Sequence, residues 1–450
     1  MATVGSDGMQ AAAIVRAPLP ARHVAAVCVG NALEFYDFVT YAFFAAQIGR
    51  CFFPSDTKGA SLLASLATFG AGFLTRPLGA WVIGRMGDRV GRKPAMLLSF
   101  GLIGLATLGL PLTPSYAAIG IAAPILVIAF RLLQGFALGG EVGPSTAFMM
   151  EAAPLHRRGL YISLQSMSAD AATMVAGLVG FGLAHVLDEP ALDSWGWRVA
   201  LLFGAAIVPF GLMLRRTLGE TLQVEHSAAQ RDDKHDDAAI ATHAAGRIPT
   251  KRIAVLGLAM LASATTANYI LDYLTTYANS TLGMPPKLAL GATAIVGLCG
   301  VICDPLGGWL SDRYGRKPVM IAPFVVLLLA IFPCFWVLSQ LRTGAALFGA
   351  SALLATASTL ATCVFLVAIT ESLPQRVRSG GLSLIYAVAI SIFGGSTQFL
   401  VNWLTHVTGN PLAPAWYMVG GVTVGLIAIV RMPETAPVKA LPHRGIGVAT

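Results

Sequence analysis

The sequence predicts an all-α integral membrane protein with twelve transmembrane helices in two pseudo-symmetric six-helix bundles. Apolar residues make up 56% of the 450-residue chain and charged residues only 12%, whereas a soluble domain carries about 25% charged residues. Apolar runs of about 20 residues, enough to cross a bilayer as a helix, recur along the chain. The pattern G-x-x-x-D-R-x-G-R-K occurs at 84–93 and again at 308–317. These matching places in the two halves indicate a duplicated bundle.

The predicted spans divide evenly around a polar stretch in the middle of the chain. A second repeat supports the division, because Glu151–Gly159 closes the fourth span and Glu371–Gly380 closes the tenth. Two six-helix repeats of parallel topology are typical of secondary transporters. The twelve apolar segments lie at about 22–48, 60–84, 94–112, 117–150, 160–186, 196–215, 251–278, 288–310, 318–340, 343–370, 380–406 and 412–431. The predicted divisions are an uncleaved cytoplasmic N-terminal tail (1–21), the N-terminal bundle (22–218), a cytoplasmic central loop (219–250), the C-terminal bundle (251–432) and a cytoplasmic C-terminal tail (433–450).

The distribution of Lys and Arg predicts the orientation. Of the 30 such residues, 23 fall on the side that holds the N-terminus, five fall on the other side, and two, Arg76 and Arg131, lie inside apolar segments. Positive charge accumulates in cytoplasmic loops, so both termini are expected in the cytoplasm. The net charge of +8 is therefore an orientation signal and not a sign of nucleic-acid binding. The cations of the repeated turns are expected to contact anionic membrane lipids.

The repeated turns resemble the loop signature of the major facilitator superfamily. Four further stretches, at 30–38, 72–79, 131–141 and 194–198, resemble its metabolite:proton symporter family. The stretches R-R-T-L-G-E-T at 215–221 and S-I-F-G-G at 391–395 are similar to the citrate–proton symporter branch of that family. The resemblance implies the major facilitator fold, a place in the bacterial cytoplasmic (inner) membrane, and proton-coupled import of a small organic molecule such as citrate, 2-oxoglutarate, shikimate, proline or betaine.

Nothing in the sequence points to catalysis or to a cofactor. There is no P-loop, no G-x-S-x-G and no H-E-x-x-H, which are the patterns of nucleotide, acyl-transfer and zinc-protease sites. The six cysteines lie in or beside apolar segments without C-x-x-C spacing, so neither a disulfide framework nor a metal site is predicted. We expect a transporter, not an enzyme, that works as a monomer without a cofactor and is driven by an ion or substrate gradient.

The substrate site is predicted from the two arginines inside apolar segments. A charged side chain at membrane depth is costly and therefore indicates function, and a guanidinium binds a carboxylate through two parallel hydrogen bonds. Arg131 falls near the midplane and Arg76 in the inner half of its segment. The alternative is that each arginine is paired internally and serves packing. The full set of predicted substrate-binding residues is Arg131, Arg76, Asn31, Tyr41, Gln165, Tyr273 and Tyr277.

Proton coupling is predicted for carboxylates, because no histidine falls near the midplane. Glu34 and Asp37 lie one helical turn apart and share a face. An acid in a low-dielectric site can take up and release a proton as its surroundings change. Glu141, ten residues after Arg131, is a predicted partner in the relay. The alternative is that these acids are structural hydrogen-bond acceptors, and sodium coupling also stays open.

The intramembrane acids outnumber the arginines. Six acids stand against two cations, and this surplus leaves room for a zwitterion or a metal–anion complex as the substrate. The six are Glu34, Asp37, Glu141, Asp170, Asp272 and Asp304.

The repeated turns also predict a gate. Each places one acid among several bases, so the acid can pair with arginines or helix ends of the neighbouring repeat in one state and part from them in another. The alternative is that the bases only fix topology. The predicted gating residues are Asp88, Arg89 and Arg92 in the first turn and Asp312, Arg313 and Arg316 in the second.

The sequence thus favours a secondary transporter that imports citrate or a related di- or tricarboxylate with protons by alternating access. A symporter of a zwitterionic osmolyte or another small metabolite, of the proline, betaine or shikimate type, is the alternative within the same fold. A transporter-like membrane sensor, which binds its ligand without moving it, is the alternative from another class.

Overall fold

The computed structural model describes residues 21–57, 59–89, 92–139, 146, 149–150, 153–205, 249–374 and 378–440. Within these ranges the chain forms helices and no β-strand. The helices of the first half are α1 (Ala21–Phe43), α2 (Ala45–Phe52), α3 (Ala60–Leu74), α4 (Arg76–Arg89), α5 (Arg92–Leu112), α6 (Ala122–Leu138), α7 (Arg158–Val186) and α8 (197–205). Short helical pieces precede α6, α7 and α8.

The second half repeats the pattern of long helices joined by short turns. Its helices are α9 (Thr250–Thr276), α10 (Pro286–Tyr314), α11 (Arg316–Leu341), α12 (Gly344–Thr362), α13 (Phe365–Ser372), α14 (Arg378–Ala389), α15 (Gly395–Thr408) and α16 (Ala413–Arg431). A π-helical turn, Tyr277–Thr281, continues α9, and another, Ile390–Gly394, joins α14 to α15.

Length and composition fit a bilayer. Among the described residues, seven helices are long and apolar enough to cross a membrane. Large apolar side chains on their outer faces are exposed, including Val255 (65%) and Leu329 (70%). Lipid is the natural environment for such a surface, because a soluble protein rarely exposes large apolar patches to water.

Two seams of small residues join the halves. On the first, α7 packs along α10, where a Cβ on Gly297 would lie 2.3 Å from the backbone nitrogen of Met174. On the second, α3 meets the start of α15, where a Cβ on Gly70 would lie 2.1 Å from the carbonyl oxygen of Gly395. Small residues let helix backbones approach closely in membranes, so these glycines bring the inner faces of the two halves together.

A third close approach lies inside the first half and positions the arginines. The span formed by α3 and α4 is broken at Thr75, whose hydroxyl donates to the carbonyl oxygen of Leu132 at 2.7 Å. A Cβ on Gly135 would lie 1.5 Å from the carbonyl oxygen of Gly72. This contact holds α6 against the α3–α4 junction and therefore sets Arg131 beside Arg76.

Candidate functional site

Arg131 lies at the centre of the candidate site. It is fully buried on α6, and its Nη1 donates to Oε1 of Gln134 at 2.5 Å. The amide nitrogen of Gln134 in turn donates to Oδ2 of Asp37 on α1, and that oxygen lies 3.9 Å from Nη1 of Arg131. The acid and the arginine are therefore linked mainly through the glutamine. Gln134 was not predicted from the sequence, although it lies three residues after Arg131 on the same face.

Aromatic rings hold both arginines. The guanidinium carbon of Arg131 lies 3.7 Å from the ring centroid of Tyr41 and 5.2 Å from that of Phe38. The guanidinium carbon of Arg76 lies 4.7 Å from the centroids of Phe38 and Phe73. A cation over an aromatic face is stabilised by about 2 kcal/mol or more when it is desolvated. Phe38 thus contacts both cations and keeps them within reach of one small molecule, although their like charges repel.

Several donors of these arginines have no acceptor. Within the described residues, Nε and Nη2 of Arg131 and Nε of Arg76 are buried and make no hydrogen bond. A buried polar group left without a partner costs about 1–3 kcal/mol, and more when it is charged. A carboxylate supplies two acceptor oxygens in the planar geometry of a guanidinium. The site is therefore chemically suited to an anion with carboxylates.

The second half supplies another wall of the site. Tyr269 on α9 packs edge-on against Phe69 and Phe73, with ring centroids 5.9 and 5.6 Å apart. Ser391, in the turn between α14 and α15, donates to the carbonyl oxygen of Phe73 at 2.8 Å. Tyr386 on α14 lies within electrostatic reach of Arg76 and Glu34. Residues of both halves therefore lie beside the rings that hold the arginines, at the repeat interface where secondary transporters bind substrate.

Asn31 and Gln165 lie together on the first-half side of the site. The side-chain amide of Asn31 on α1 donates to the carbonyl oxygen of Gln165 at 2.9 Å and to the hydroxyl of Ser168 at 3.0 Å, both on α7. Oε1 of Gln165 accepts from the hydroxyl of Thr146 at 3.0 Å. These contacts tie α1 to α7. Their role in substrate binding stays a prediction.

Tyr273 and Tyr277 are not brought to Arg131. The hydroxyl of Tyr273 donates to Oδ1 of Asn402 at 2.9 Å, and that of Tyr277 donates to the carbonyl oxygen of Pro411 at 2.7 Å. Both rings lie in the core of the second half. Tyr269, four residues before Tyr273 on α9, faces the arginine site. The spacing of four residues places the three tyrosines on one face of α9, but the sequence could not show which of them faces the first half.

The predicted proton carriers are only partly described. Glu34 and Asp37 are both buried on α1, with 8% and 7% of their surface exposed. Asp37 belongs to the Arg131 network described above. Glu141 lies outside the described residues. The structure thus links one predicted carrier, Asp37, to the predicted substrate arginine through Gln134.

A second polar cluster joins the halves at the end of α10. Asp312 accepts hydrogen bonds from the backbone N–H groups of Gly159 and Leu160, at 2.8 and 2.9 Å, at the start of α7. It also accepts from Nη1 of Arg316 at 2.6 Å. The first turn of a helix leaves N–H groups without intrahelical partners and favours a negative charge. One carboxylate of the second half therefore holds a helix end of the first.

Arg316 is the buried hub of this cluster. Its guanidinium makes two hydrogen bonds to Glu371 on α13, at 2.9 and 3.2 Å, and Glu371 also accepts from the hydroxyl of Thr435 at 2.7 Å. Glu371 was not predicted as a gate residue, although its place at the start of the second repeated pattern was a signal for it. Arg313 is exposed over the rings of Trp309 and Tyr314. The side chains of the first-turn candidates Asp88, Arg89 and Arg92 lie outside the described residues.

We expect Glu371→Gln to loosen this cluster, because it removes one charge of a buried pair and leaves Arg316 undercompensated, at a cost of about 3–5 kcal/mol. Ser163→Cys in a variant free of native cysteines provides a reporter, since Ser163 packs against Gly308 across the seam. Adding Glu371→Gln should raise the rate at which the cysteine of Ser163→Cys is labelled by a water-soluble maleimide about tenfold or more. The exposed acid Glu189 gives the control, Glu189→Gln. Equal labelling in both variants would contradict the gate.

The comparisons with known proteins agree with this architecture. The chain matches the Major Facilitator Superfamily over residues 27–398. It is 36% identical to the citrate-proton symporter of Klebsiella pneumoniae over 429 residues, which cover 95% of this chain and 92% of that protein. It is 33% identical to the alpha-ketoglutarate permease of Escherichia coli, over 86% of this chain and 88% of the relative.

Solved structures support the same fold. The xylose transporter XylE of E. coli, in a partially occluded inward-open conformation, superposes with a TM-score of 0.72 at 17% identity. The match covers 92% of this chain and 98% of the transporter. The predicted helical membrane fold is confirmed, and the relatives are carriers, not enzymes. The chain is an integral membrane protein and a member of the Major Facilitator Superfamily.

Proposed function

We propose that this transporter imports an organic acid with two or more carboxylates, together with protons, and that citrate is its first candidate substrate. The observation that carries the proposal is the pair of buried guanidinium groups that both lie over Phe38. Three of their nitrogens have no acceptor among the described residues. The likeness to a citrate-proton symporter over nearly the whole chain supports it.

Coupling between proton binding and substrate binding follows from the link between Arg131 and Asp37 through Gln134. While Asp37 is ionised, it and Gln134 compete with a substrate for the guanidinium. A proton on Asp37 removes that competing charge, so the proton and the substrate anion each favour the binding of the other. Such a coupling is reciprocal by thermodynamic necessity. Co-binding of proton and anion is what symport requires.

A zwitterionic osmolyte fits this site less well. A quaternary ammonium group is recognised by open aromatic faces. Here the guanidinium groups already lie over Phe38, Tyr41 and Phe73. Two of the surplus acids, Asp170 and Asp304, face each other across the seam between α7 and α10. The geometry therefore favours an anion.

In an alternating-access cycle, the hydrogen bonds of Asp312 to the start of α7 would hold one side of the transporter closed. The excess of Lys and Arg supports an orientation with both termini and this cluster on the cytoplasmic side of a bacterial inner membrane. Opening to the cytoplasm then requires Asp312 to release the start of α7. We infer a monomer whose basic turns contact lipid head groups, with residues 219–250 linking the two bundles.

We expect Arg131→Ala to lower citrate uptake into proteoliposomes about tenfold to a hundredfold, because hydrogen bonds to a charged group contribute about 1.5–3 kcal/mol. The assay uses radiolabelled citrate, an inward pH gradient and no sodium. Arg252→Ala, at an exposed arginine at the start of α9, is the matched control and should transport like the wild type. Wild-type protein that binds citrate without exchanging it would instead indicate a sensor, and unchanged uptake by Arg131→Ala would contradict the site.

We expect Asp37→Asn to retain citrate counterflow but to accumulate less citrate against a gradient than the wild type, because its amide carries no transferable proton. Asp193→Asn is the matched control, since Asp193 forms an exposed ion pair with Arg50. Glu34→Gln, measured alongside, shows whether the second acid on α1 shares the proton. Accumulation by Asp37→Asn at the wild-type level would remove Asp37 from the coupling mechanism.

A further inference from the structure

Two intramembrane acids outside the arginine site meet across the seam between the halves. Asp170 lies near the middle of α7, and Asp304 lies in the C-terminal part of α10. Gly300, one turn before Asp304, makes room for the carboxyl of Asp170, because a Cβ on this glycine would lie 1.8 Å from Oδ2 of Asp170. One carboxyl therefore belongs to each half of the transporter.

The two carboxyl groups lie within hydrogen-bond reach of each other. Asp304 is 1% exposed, and no N–H or O–H donor of a described residue reaches its buried Oδ2. An ionised carboxylate only accepts hydrogen bonds, whereas a protonated one donates. A hydrogen bond between two carboxyl groups therefore requires a proton on one of them.

Among the described residues, none that interacts with the pair carries a positive charge that could replace this proton. The other titratable groups acting on the two acids are Asp272 on α9 and the thiols of Cys303 and Cys363. In the described part of the chain, no lysine or arginine interacts electrostatically with Asp170 or Asp304. Two ionised carboxylates at this distance would repel each other in a medium that solvates them poorly.

We propose that Asp170 and Asp304 form a proton-binding site between the two halves, separate from Asp37. With one proton the pair carries a single negative charge and a hydrogen bond that closes the seam between α7 and α10. When rocking admits water, the proton leaves to water and the pair carries two charges that push the halves apart. The second proton per transport cycle rests on the proposed symport, but the existence of the shared proton does not.

The shared proton is tested without any substrate by infrared spectroscopy of the purified protein at neutral pH. The difference spectrum between the wild type and Asp304→Asn should contain the carbonyl stretch of a protonated carboxylic acid, and so should that of Asp170→Asn. Asp193→Asn, at an exposed acid, should show only a carboxylate. If the spectra of Asp304→Asn and Asp170→Asn also show only carboxylates, both acids are ionised and the proposal is overturned.

The role of the Asp170–Asp304 proton in coupling is tested in proteoliposomes with citrate, a pH gradient of one unit and the membrane potential held at zero. Asp304→Asn should keep counterflow but accumulate about tenfold less citrate, because one proton moving down one pH unit supports about a tenfold gradient. Gly300→Ala should give the same loss, since its Cβ displaces Asp170. Gly291→Ala on the same helix, where the nearest atom is 3.4 Å from the Cβ, should match the wild type.

Three outcomes separate this inference from the proposed function. Wild-type accumulation by Asp304→Asn overturns the coupling role of the pair. Sodium-driven accumulation at fixed pH that is lost in Asp304→Asn overturns the proton assignment in favour of a sodium ion. A wild type that shows the protonated carboxyl but moves no citrate refutes the proposed substrate and leaves the proton site standing.

Discussion

The burial of one guanidinium group constrains the rest of this structure. An arginine at the centre of a membrane helix costs about 3 kcal/mol even on insertion scales, so Arg131 needs compensation from its surroundings. It receives part from Gln134 and Asp37 and part from the ring of Tyr41. The compensation is incomplete, because two of its nitrogens lack acceptors in the described residues. A carboxylate ligand would supply the acceptor oxygens that these nitrogens lack.

A second constraint is that the polar side chains between the two halves need hydrogen-bond or ion-pair partners in more than one conformation of the transporter. The central site, the Asp170–Asp304 pair and the Asp312 cluster all draw residues from both halves. The contacts within each cluster therefore change when the two bundles move relative to each other. Glycines along α7, α10 and α15 allow the close contacts, and the acids and arginines make those contacts depend on charge. In the proposed mechanism, substrate and proton occupancy therefore act on the same relative motion of the two bundles.

The sequence predicted the parts of this account that depend on a single segment. Hydropathy and the repeated turn gave the helical membrane fold, and an ionisable residue within an apolar run was sufficient to single out Arg131 and Asp37. Contacts between the two halves were harder to predict from the sequence. No periodicity shows that Tyr269, and not Tyr273, faces the arginines, or that Asp170 meets Asp304. Those contacts depend on how two bundles pack, and helical spacing describes only one helix at a time.

The central claim is that anion binding at Arg131 and protonation of Asp37 are one linked event. Calorimetry of citrate binding in buffers of different ionisation enthalpy, over a pH range where citrate is fully ionised, counts the protons taken up with the ligand. The account predicts uptake of about one proton by the wild type and none by Asp37→Asn, with binding retained. Equal proton uptake by both proteins, or none by the wild type, would contradict it.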